Sequence, residues 1–323
     1  MKKKVLLIGG GGTIGTAVAE ELLKKGFCVD IMCLENHVSD NENLRYIKTA
    51  VTAEYLRGFL VDKYYDAVMN LIHYPDPEDY LAMHKVIAPK TGHEIVVSSI
   101  RALGDAQHPI TSSAPTLLDL YERGDFPDEE FIKRDTYSIS KGVIERYFKF
   151  ATRYKNWTII RPMITTSDKR FDIVQYTFDE PVSWARENKT MYIPNIVRDN
   201  YAGVEWAGNA GKMIANLMFN EKAMCKTVML STGHRLTWGD VANIYTELLG
   251  LKVEWLDPDE YKAKLGMYKW PLKYDRGYNR EVDPQEMLDI TGLKPEDFKT
   301  LKEGIIIELK KLGVLDENNE RTF

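Results

Sequence analysis

A run of four glycines at residues 9–12 constrains this sequence more than any other feature. A short apolar run at residues 4–8 precedes the glycines, and apolar residues recur at helical spacing from Ile14 to Leu23 behind them. Glycines between a buried strand and a helix let a dinucleotide pyrophosphate approach the bare backbone and the positive end of the helix. The sequence therefore predicts a nucleotide-binding loop rather than a simple tight turn. The residues predicted to contact the cofactor are Gly9, Gly12, Thr13, Ile14 and Gly15.

The first half of the chain alternates short apolar runs with amphipathic stretches, as parallel strands joined by crossover helices do. Helices are predicted at residues 53–61 and 137–154, and a long loop with a short helix, lining an active site, at residues 102–131. The predicted fold class is α/β, with a Rossmann-type doubly wound parallel sheet. Its strands are predicted at residues 4–8, 28–34, 45–47, 66–72, 94–99 and 157–161.

The regular alternation of predicted strands and helices ends near residue 165. We predict a Rossmann domain at residues 1–165 that binds NAD or NADP, and a smaller mixed α/β substrate-binding lobe at residues 166–323. Whether strands or helices of this lobe return to the first domain is left open. The helices predicted in the lobe lie at residues 204–219, 239–249, 285–291 and 299–312, and its strands at residues 227–230 and 252–255.

Charge and cysteine content limit the classes of partner and the cellular compartment. The formal net charge of -5 gives no electrostatic footprint for nucleic acid or an anionic membrane, so neither is expected as a partner. The three cysteines form neither a paired disulfide framework nor a metal-binding spacing. The glycines end the first apolar run too early for a signal peptide, and no apolar stretch reaches membrane-spanning length. We therefore expect a cytoplasmic protein without a metal site.

The end of the second predicted strand bears on the choice between NAD and NADP. Glu35 is the acidic residue at the expected distance from the glycines, and a carboxylate there accepts both ribose hydroxyls and repels a 2′-phosphate. No arginine that would favour NADP occurs between residues 16 and 44. The sequence favours NAD and leaves NADP open. The alternative for Glu35 is a solvated turn residue.

Tyr137 and Lys141 are four residues apart, on neighbouring turns of one predicted helix. A nearby cation and the positive nicotinamide ring both stabilise a phenolate, which would lower the tyrosine pKa toward working pH and allow proton exchange with a substrate hydroxyl or carbonyl. Ser98 and Ser99 end the predicted strand at 94–99, so these groups are expected to converge above the glycine loop.

Four segments together resemble the extended short-chain dehydrogenase/reductases, the NAD-dependent epimerase/dehydratase family: residues 7–15, 96–104, 137–141 and 160–162. The resemblance covers nearly the full length. It implies that Ser99 hydrogen-bonds the reacting oxygen, that Tyr137 is the general acid/base, and that Lys141 holds the nicotinamide ribose and tunes the tyrosine. It also implies cofactor contacts at Ile72 and Pro162, and a homodimer formed through helices that include the one bearing Tyr137.

Two departures from the family pattern lie near the predicted catalytic residues. Ile100 and Arg101 stand where the family's dehydratases carry an Asp-Glu pair, so dehydration is disfavoured. Two kinds of reaction remain as candidates. One is epimerisation through a transient keto intermediate, and the other is net carbonyl reduction or alcohol oxidation. His73 follows the predicted strand at 66–72, and we expect a structural or substrate-contacting role for it rather than a catalytic one. Arg101 is a further candidate for contact with the substrate.

Lys273, Arg276 and Arg280 form a basic cluster near the place where nucleotide-sugar enzymes of this family clamp a diphosphate. Arg276 and Arg280 are therefore candidate substrate residues, and a surface salt-bridge network is the alternative. The leading functional hypothesis is a nucleotide-sugar epimerase acting on a small-molecule substrate, with a carbonyl reductase or alcohol dehydrogenase as the alternative. A hypothesis of another class is a non-catalytic dinucleotide-binding sensor or RNA-associated protein.

Overall fold

A computed structural model describes residues 2–126, 128–266 and 272–323; residue 127, in the loop predicted at 102–131, lies outside these ranges. In chain order the strands are β1 (Lys4–Ile8), β2 (Cys28–Cys33), β3 (Leu44–Lys48), β4 (Ala67–Asn70), β5 (Glu94–Val97), β6 (Trp157–Pro162), β7 (Ile164–Thr166), β8 (Thr190–Pro194), β9 (Val204–Trp206), β10 (Lys226–Leu230) and β11 (Lys252–Leu256). The helices are α1 (Thr13–Lys24), α2 (Ala53–Phe59), α3 (Pro77–Ile87), α4 (Leu117–Glu122), α5 (Glu129–Arg134), α6 (Thr136–Phe150), α7 (Glu180–Arg186), α8 (Ala207–Leu217), α9 (Trp238–Leu249), α10 (Pro258–Leu265), α11 (Gln285–Thr291) and α12 (Leu301–Lys311).

In the described part of the chain a seven-stranded parallel sheet forms the centre of the molecule, in the order β3-β2-β1-β4-β5-β6-β10. The order reverses direction at β1, so β1 and β4 flank the switch point where ligands bind in such sheets. Residues 5–8 of β1 are apolar and fully buried, as expected for a strand that is covered on both faces. The predicted Rossmann-type α/β class is confirmed.

Each face of the sheet packs on its own layer of helices. On one face, side chains of β1 and β2 pack with Met213 and Ile214 of α8 and with Val18 of α1. On the other, Leu6 and Ile8 of β1 pack with residues of α2 and α3. These two cores make the sheet a rigid platform for the loops at its carboxyl edge.

The strand predicted at residues 227–230 is β10, and it returns to the first domain, which the sequence left open. It pairs in parallel with β6 and is an edge strand of the central sheet. The preceding helix α8 packs against α1 of the glycine-loop unit. The helix predicted at residues 204–219 is also shorter than expected, because β9 occupies its first three residues and pairs with β7. The chain thus leaves the sheet after β6 and returns to it.

The remaining C-terminal elements form the smaller mixed lobe that the sequence predicts. In its core, Phe171 packs with Trp238 and other side chains of α9 and with side chains of α12. Small parallel pairs, β8 with β11 and β7 with β9, complete it. Within the residues that the structure describes, none of the helices is both long and apolar enough to cross a membrane.

Candidate active site

A cavity of about 560 Å³ opens at the carboxyl edge of the sheet, between the sheet and the C-terminal lobe. The glycine loop, the ends of β5 and β6, helix α6 and the segment after β7 all contribute to its wall. Its described lining is formed by Gly9, Gly12, Thr13, Ile14, Leu71, His73, Val97, Ser98, Ser99, Ile100, Arg101, Tyr137, Lys141, Pro162, Met163, Ile164, Thr165, Lys169, Arg170, Phe178, Asp275 and Arg276.

The glycine loop offers an open backbone cradle to a ligand. Gly9 has φ +71°, a backbone conformation that residues with a side chain rarely adopt. Gly12 caps helix α1 without a side-chain cap, and a Cβ built on it would meet nothing within 4 Å. Gly15 instead packs on the loop, where a Cβ would lie 2.4 Å from the Gly10 carbonyl oxygen. The exposed N–H groups at the start of α1 therefore fit a dinucleotide pyrophosphate.

Ser99, Tyr137 and Lys141 line the same cavity, as the sequence predicts. Ser99 caps a short 3₁₀ turn, and its Oγ accepts a hydrogen bond from the Arg101 backbone N–H at 3.1 Å. Tyr137 lies in the first turn of α6, and Lys141 follows one turn later with its Nζ 5.7 Å from the tyrosine ring centroid. Lys141 Nζ also donates to the Val97 carbonyl at 2.6 Å, which fixes the ammonium at the end of β5.

The neighbouring Ser98 has a different role. Its hydroxyl donates to Glu145 Oε1 at 2.6 Å, and Glu145 also receives two hydrogen bonds from the buried guanidinium of Arg161. Because Ser98 is committed to this network beneath the cavity, Ser99 is the hydroxyl left to face a ligand. The role that the family resemblance implies for Ser99 stays a prediction.

Burial controls the acidity of the two helix residues. Burial raises the pKa of Tyr137 above its ordinary value and outweighs the hydrogen bond from Ser99 and the charges of Arg101 and Arg170, which lower it. The lowering of this pKa that the sequence predicts includes the charge of a bound nicotinamide ring, and it stays a prediction. Burial lowers the pKa of Lys141 to about 8, opposed in part by Glu145. Lys141 can thus gain or lose its charge near physiological pH.

His73 lies against the phenol of Tyr137, with ring centroids 4.7 Å apart. Burial lowers its pKa, and the charges of Lys141 and Arg101 lower it further, so the neutral form of the imidazole is favoured. The predicted cofactor residue Ile72 does not line the described cavity. It lies behind the glycine loop, where a Cβ on Gly9 would come within 2.8 Å of its Cγ1. Pro162, by contrast, is part of the cavity wall.

Glu35 lies at the outer end of the glycine loop and is exposed. A Cβ on Gly11 would come within 3.4 Å of its Oε2 and 3.2 Å of the Cys33 Cβ. The carboxylate is therefore placed beside the loop, outside the described cavity wall, where the ribose nearest the adenine would lie in a fold of this kind. Its predicted role stays a prediction.

The structure separates the predicted substrate arginines. Arg101 and Arg276 line the cavity, and Arg276 is 94% buried. Arg280 is wholly buried outside the cavity wall, where its Nη1 donates to the carbonyls of Leu103 and Gly104 at 3.3 and 3.4 Å. It ties two loops together, and its prediction as a substrate residue is not supported by this position. Both arginines also pair with Asp275, at 3.5 Å from Arg276 and 3.8 Å from Arg280, so the salt bridges that they make are buried and not at the surface.

Lys169 and Arg170, which follow β7, line the cavity and are not among the residues predicted from the sequence. Lys169 Nζ donates to the Gly11 carbonyl at 2.5 Å and to Thr16 Oγ1 at 3.1 Å, so its ammonium lies over the glycine loop. Arg170 Nε donates to the buried Asp172 at 2.7 Å and lines the cavity. The segment has neither periodicity nor a motif, so only its position in the fold identifies these residues.

Solved structures share this fold at low sequence identity. The first is the epimerase Mth375 from Methanothermobacter thermautotrophicus, with 14% identity, a TM-score of 0.70, and 96% of this chain and 94% of that chain covered. The second is the Bordetella bronchiseptica enzyme WbmG in complex with NAD and UDP, with 17% identity, a TM-score of 0.70 and coverages of 97% and 96%. The third is the Thermus thermophilus UDP-glucose 4-epimerase in complex with NAD, with 14% identity, a TM-score of 0.64 and coverages of 95% and 98%. No protein-family model matches the sequence, and no curated protein matches it significantly. Identities this low show a shared fold.

Proposed function

We propose that this protein is an NAD-dependent enzyme of the extended short-chain dehydrogenase/reductase type, and that it epimerises a nucleotide sugar. The observation that carries the proposal is the meeting of Ser99, Tyr137 and Lys141 with the glycine loop in one cavity. A dinucleotide-binding protein without catalysis has no use for a phenol, a hydroxyl and an ammonium placed together at the nicotinamide end of the site. The NAD and UDP held by similar folds are consistent with this choice of ligands.

The cofactor would lie along the carboxyl edge of the sheet. The backbone of Gly12, Thr13 and Ile14 would hold its pyrophosphate, with Lys169 supplying a cation above the loop. Lys141 would hold the nicotinamide ribose from the other end of the cavity. When bound, the cofactor supplies a hydride acceptor and a positively charged ring.

The protein's own part in the chemistry is proton transfer and orientation. Tyr137 Oη takes the proton of the substrate hydroxyl as that carbon is oxidised, and returns it as the carbonyl is reduced. Ser99 Oγ donates a hydrogen bond to the same substrate oxygen and holds it in line with the phenol. Arg101 and Arg170 stabilise the phenolate by their positive charge, and so does Lys141 when it is protonated; this is needed because burial alone opposes the phenolate.

Epimerisation is proposed over dehydration because elimination of water needs a second acid and base beside the reacting carbon. Ile100 and Arg101 occupy the positions directly after Ser99, and both line the cavity. An apolar side chain and a guanidinium supply neither group. An epimerase also returns its cofactor to the starting oxidation state in each turnover and has no need to release it.

The test uses the full-length protein, purified without added nucleotide, with its bound NAD measured after denaturation. We expect NAD to copurify, and a screen of UDP-sugars with chromatographic analysis of products to yield an epimer. The Tyr137→Phe variant should retain NAD and lose at least about a hundredfold in kcat, because the proton acceptor is removed without a change of shape.

Phe150→Tyr, an exposed change on the same helix, is the matched control and should keep full activity. Stoichiometric consumption of added NADH or NADPH with net reduction of the substrate would show a reductase instead of an epimerase. Failure to bind any nicotinamide nucleotide, or full turnover by Tyr137→Phe, would refute the proposed mechanism.

A further inference from the structure

The guanidinium of Arg101 lies directly beside the proposed acid/base residue. Its Cζ is 5.2 Å from the ring centroid of Tyr137, and its backbone N–H is bonded to Ser99 Oγ. A substrate oxygen bonded to Tyr137 Oη lies about 3 Å from that atom. Any group held by Arg101 therefore belongs to the reacting end of the substrate, within a few bonds of the carbon that changes oxidation state.

Arg101 has hydrogen-bonding capacity that the described protein leaves unused. Its Nη2 donates to Asp135 at 3.3 Å, and its buried Nε finds no hydrogen-bond partner among the described residues. Asp135 does not depend on this contact, since it also accepts from the backbone N–H and the hydroxyl of Ser138. A buried donor without a partner is costly, so a ligand that supplies an acceptor is favoured at this point.

A second arginine on the cavity wall shows the same property. Arg276 is 94% buried, and its Nη2 and Nε approach the carboxylates of Asp172 and Asp275 at 3.6 and 3.5 Å. Its Nη1 is buried and has no hydrogen-bond partner in the described part of the chain. Two arginines of the cavity wall, one from the sheet side and one from the lobe side, thus each keep a buried guanidinium N–H without a partner among the described residues.

The charges around the cavity do not balance. The described wall carries five cationic side chains and one carboxylate. Two further buried carboxylates, Asp135 and Asp172, lie behind the arginines, so cations still exceed carboxylates by two. An oxidised nicotinamide dinucleotide would neutralise only part of this excess. The five cations are Arg101, Lys141, Lys169, Arg170 and Arg276.

We propose that the substrate carries a carboxylate close to the reacting carbon, and that Arg101 binds it. A planar carboxylate accepts well from the Nε and Nη donors of one guanidinium, and the position of Arg101 beside Tyr137 sets how far this group lies from the reacting hydroxyl. In terms of the proposed function, on which this inference rests, the substrate is a sugar acid, and Arg101 is the residue that selects it.

The experiment measures binding to the protein loaded with NADH, by quenching of the nicotinamide fluorescence. Matched ligand pairs are UDP-glucuronic acid with UDP-glucose, and free glucuronate with glucose; glucose 6-phosphate is the phosphate probe. We expect the carboxylate member of at least one pair to bind about tenfold more tightly than its neutral partner, which corresponds to about 1.4 kcal/mol. Arg101→Met should abolish this preference, and Arg101→Lys should restore part of it.

Arg153→Met is the matched control, because Arg153 is exposed and lies outside the cavity wall. This variant should keep the full preference. Binding of NADH itself should be unchanged in Arg101→Met, which shows that the variant is folded and that the cofactor site is intact.

Several results would overturn the inference. These are equal binding of both members in every pair, absence of binding by any carboxylate at about 10 mM, an unchanged preference in Arg101→Met, and tighter binding of glucose 6-phosphate than of glucuronate. If the wild-type protein binds NADH and epimerises neutral sugars, but binds no carboxylate ligand more tightly than its neutral partner, only this inference fails. If the wild-type protein does not bind NADH, the proposed function fails first.

Discussion

Beneath the cavity, Glu145 joins the sheet to helix α6 through a network of buried charges. Its carboxylate is 99% buried and accepts from Ser98, Lys149 and Arg161. The charge and hydrogen bonds of Arg161 hold the pKa of Glu145 at about 2, although burial raises it. Arg161 itself is fully buried and also donates to the carbonyls of Ser112 and Ala114. The carboxylate thus holds Ser98, the neighbour of Ser99, against helix α6, which carries Lys141.

Glu145→Gln is expected to destabilise the folded protein by about 3 kcal/mol, because it leaves the buried guanidinium of Arg161 without its counter-charge. The measurement is the free energy of unfolding in urea at pH 7. The same change should lower the pKa of Lys141 further, since Glu145 is the group that raises it.

Glu122→Gln removes a carboxylate from Arg146 at the surface and should cost less than about 1 kcal/mol. If the two glutamine variants were equally stable, the buried network would not have the role assigned to it.

At the level of elements, the short segment after β7 joins the C-terminal lobe to the glycine loop. Ser167 and Arg170 pair with each other through their backbones, which makes a tight turn. The hydroxyl of Ser167 lies 3.0 Å from that of Thr13, and the ammonium of Lys169 reaches the loop carbonyl of Gly11. This turn therefore covers the start of α1, where the phosphate oxygens of a dinucleotide would be bound.

Removing the positive charge of Lys169 should weaken the binding of the cofactor and leave the fold intact. Lys169→Met is expected to raise the Kd for NAD by about three- to tenfold, since a partly exposed charge near phosphate contributes about 1 kcal/mol. Calorimetric titration of cofactor-free protein gives this value.

Raised salt should reduce the difference in Kd for NAD between the wild type and Lys169→Met, because ions screen an exposed charge. Lys189→Met, at an exposed lysine in the same lobe, serves as the control and should bind NAD as the wild type does. Equal affinity in all three proteins would show that the turn does not contact the pyrophosphate.

Across the whole molecule, one buried histidine links the central sheet to the chain that returns to it. His93 Nε2 lies 2.8 Å from the hydroxyl of Thr158 in β6, and its Nδ1 accepts from the backbone N–H of Phe219, which follows α8. An acceptor at Nδ1 requires the neutral ring. Burial lowers the pKa of His93 to about 4.

This histidine predicts a loss of stability in mild acid. Between pH 6.5 and 4 the unfolded chain binds a proton at His93 that the folded protein does not. The contribution of His93 to the free energy of unfolding is therefore fully present above pH 6.5, and it is lost as the pH falls toward 4. The full loss amounts to about 3 kcal/mol. Urea unfolding at pH 7 and pH 5 measures its larger part.

In His93→Gln the difference between these two pH values should shrink, because glutamine does not titrate. The exposed His234 provides the comparison, and His234→Gln should retain the wild-type acid sensitivity. An identical acid loss in His93→Gln would assign the effect to other groups.

What the sequence determined is local in origin. The glycine loop was identified because its backbone must be bare and flanked by a strand and a helix, and each of these has its own periodicity. The same holds for the first six strands of the sheet, and for the spacing that puts Tyr137 and Lys141 on one helix face. In each case neighbours within about ten residues fix the conformation.

The tertiary structure decided everything that depends on contacts between distant segments. The sequence alone could not show that β10 extends the central sheet, because its apolar pattern would suit either domain. Nor could it show that Lys169 lies on the glycine loop, or that Arg101 faces the cavity while Arg280 is buried behind it. The predicted homodimer stays a prediction. Local periodicity records which face of an element is apolar, whereas packing selects the partner of that face and the charges that meet in the cavity.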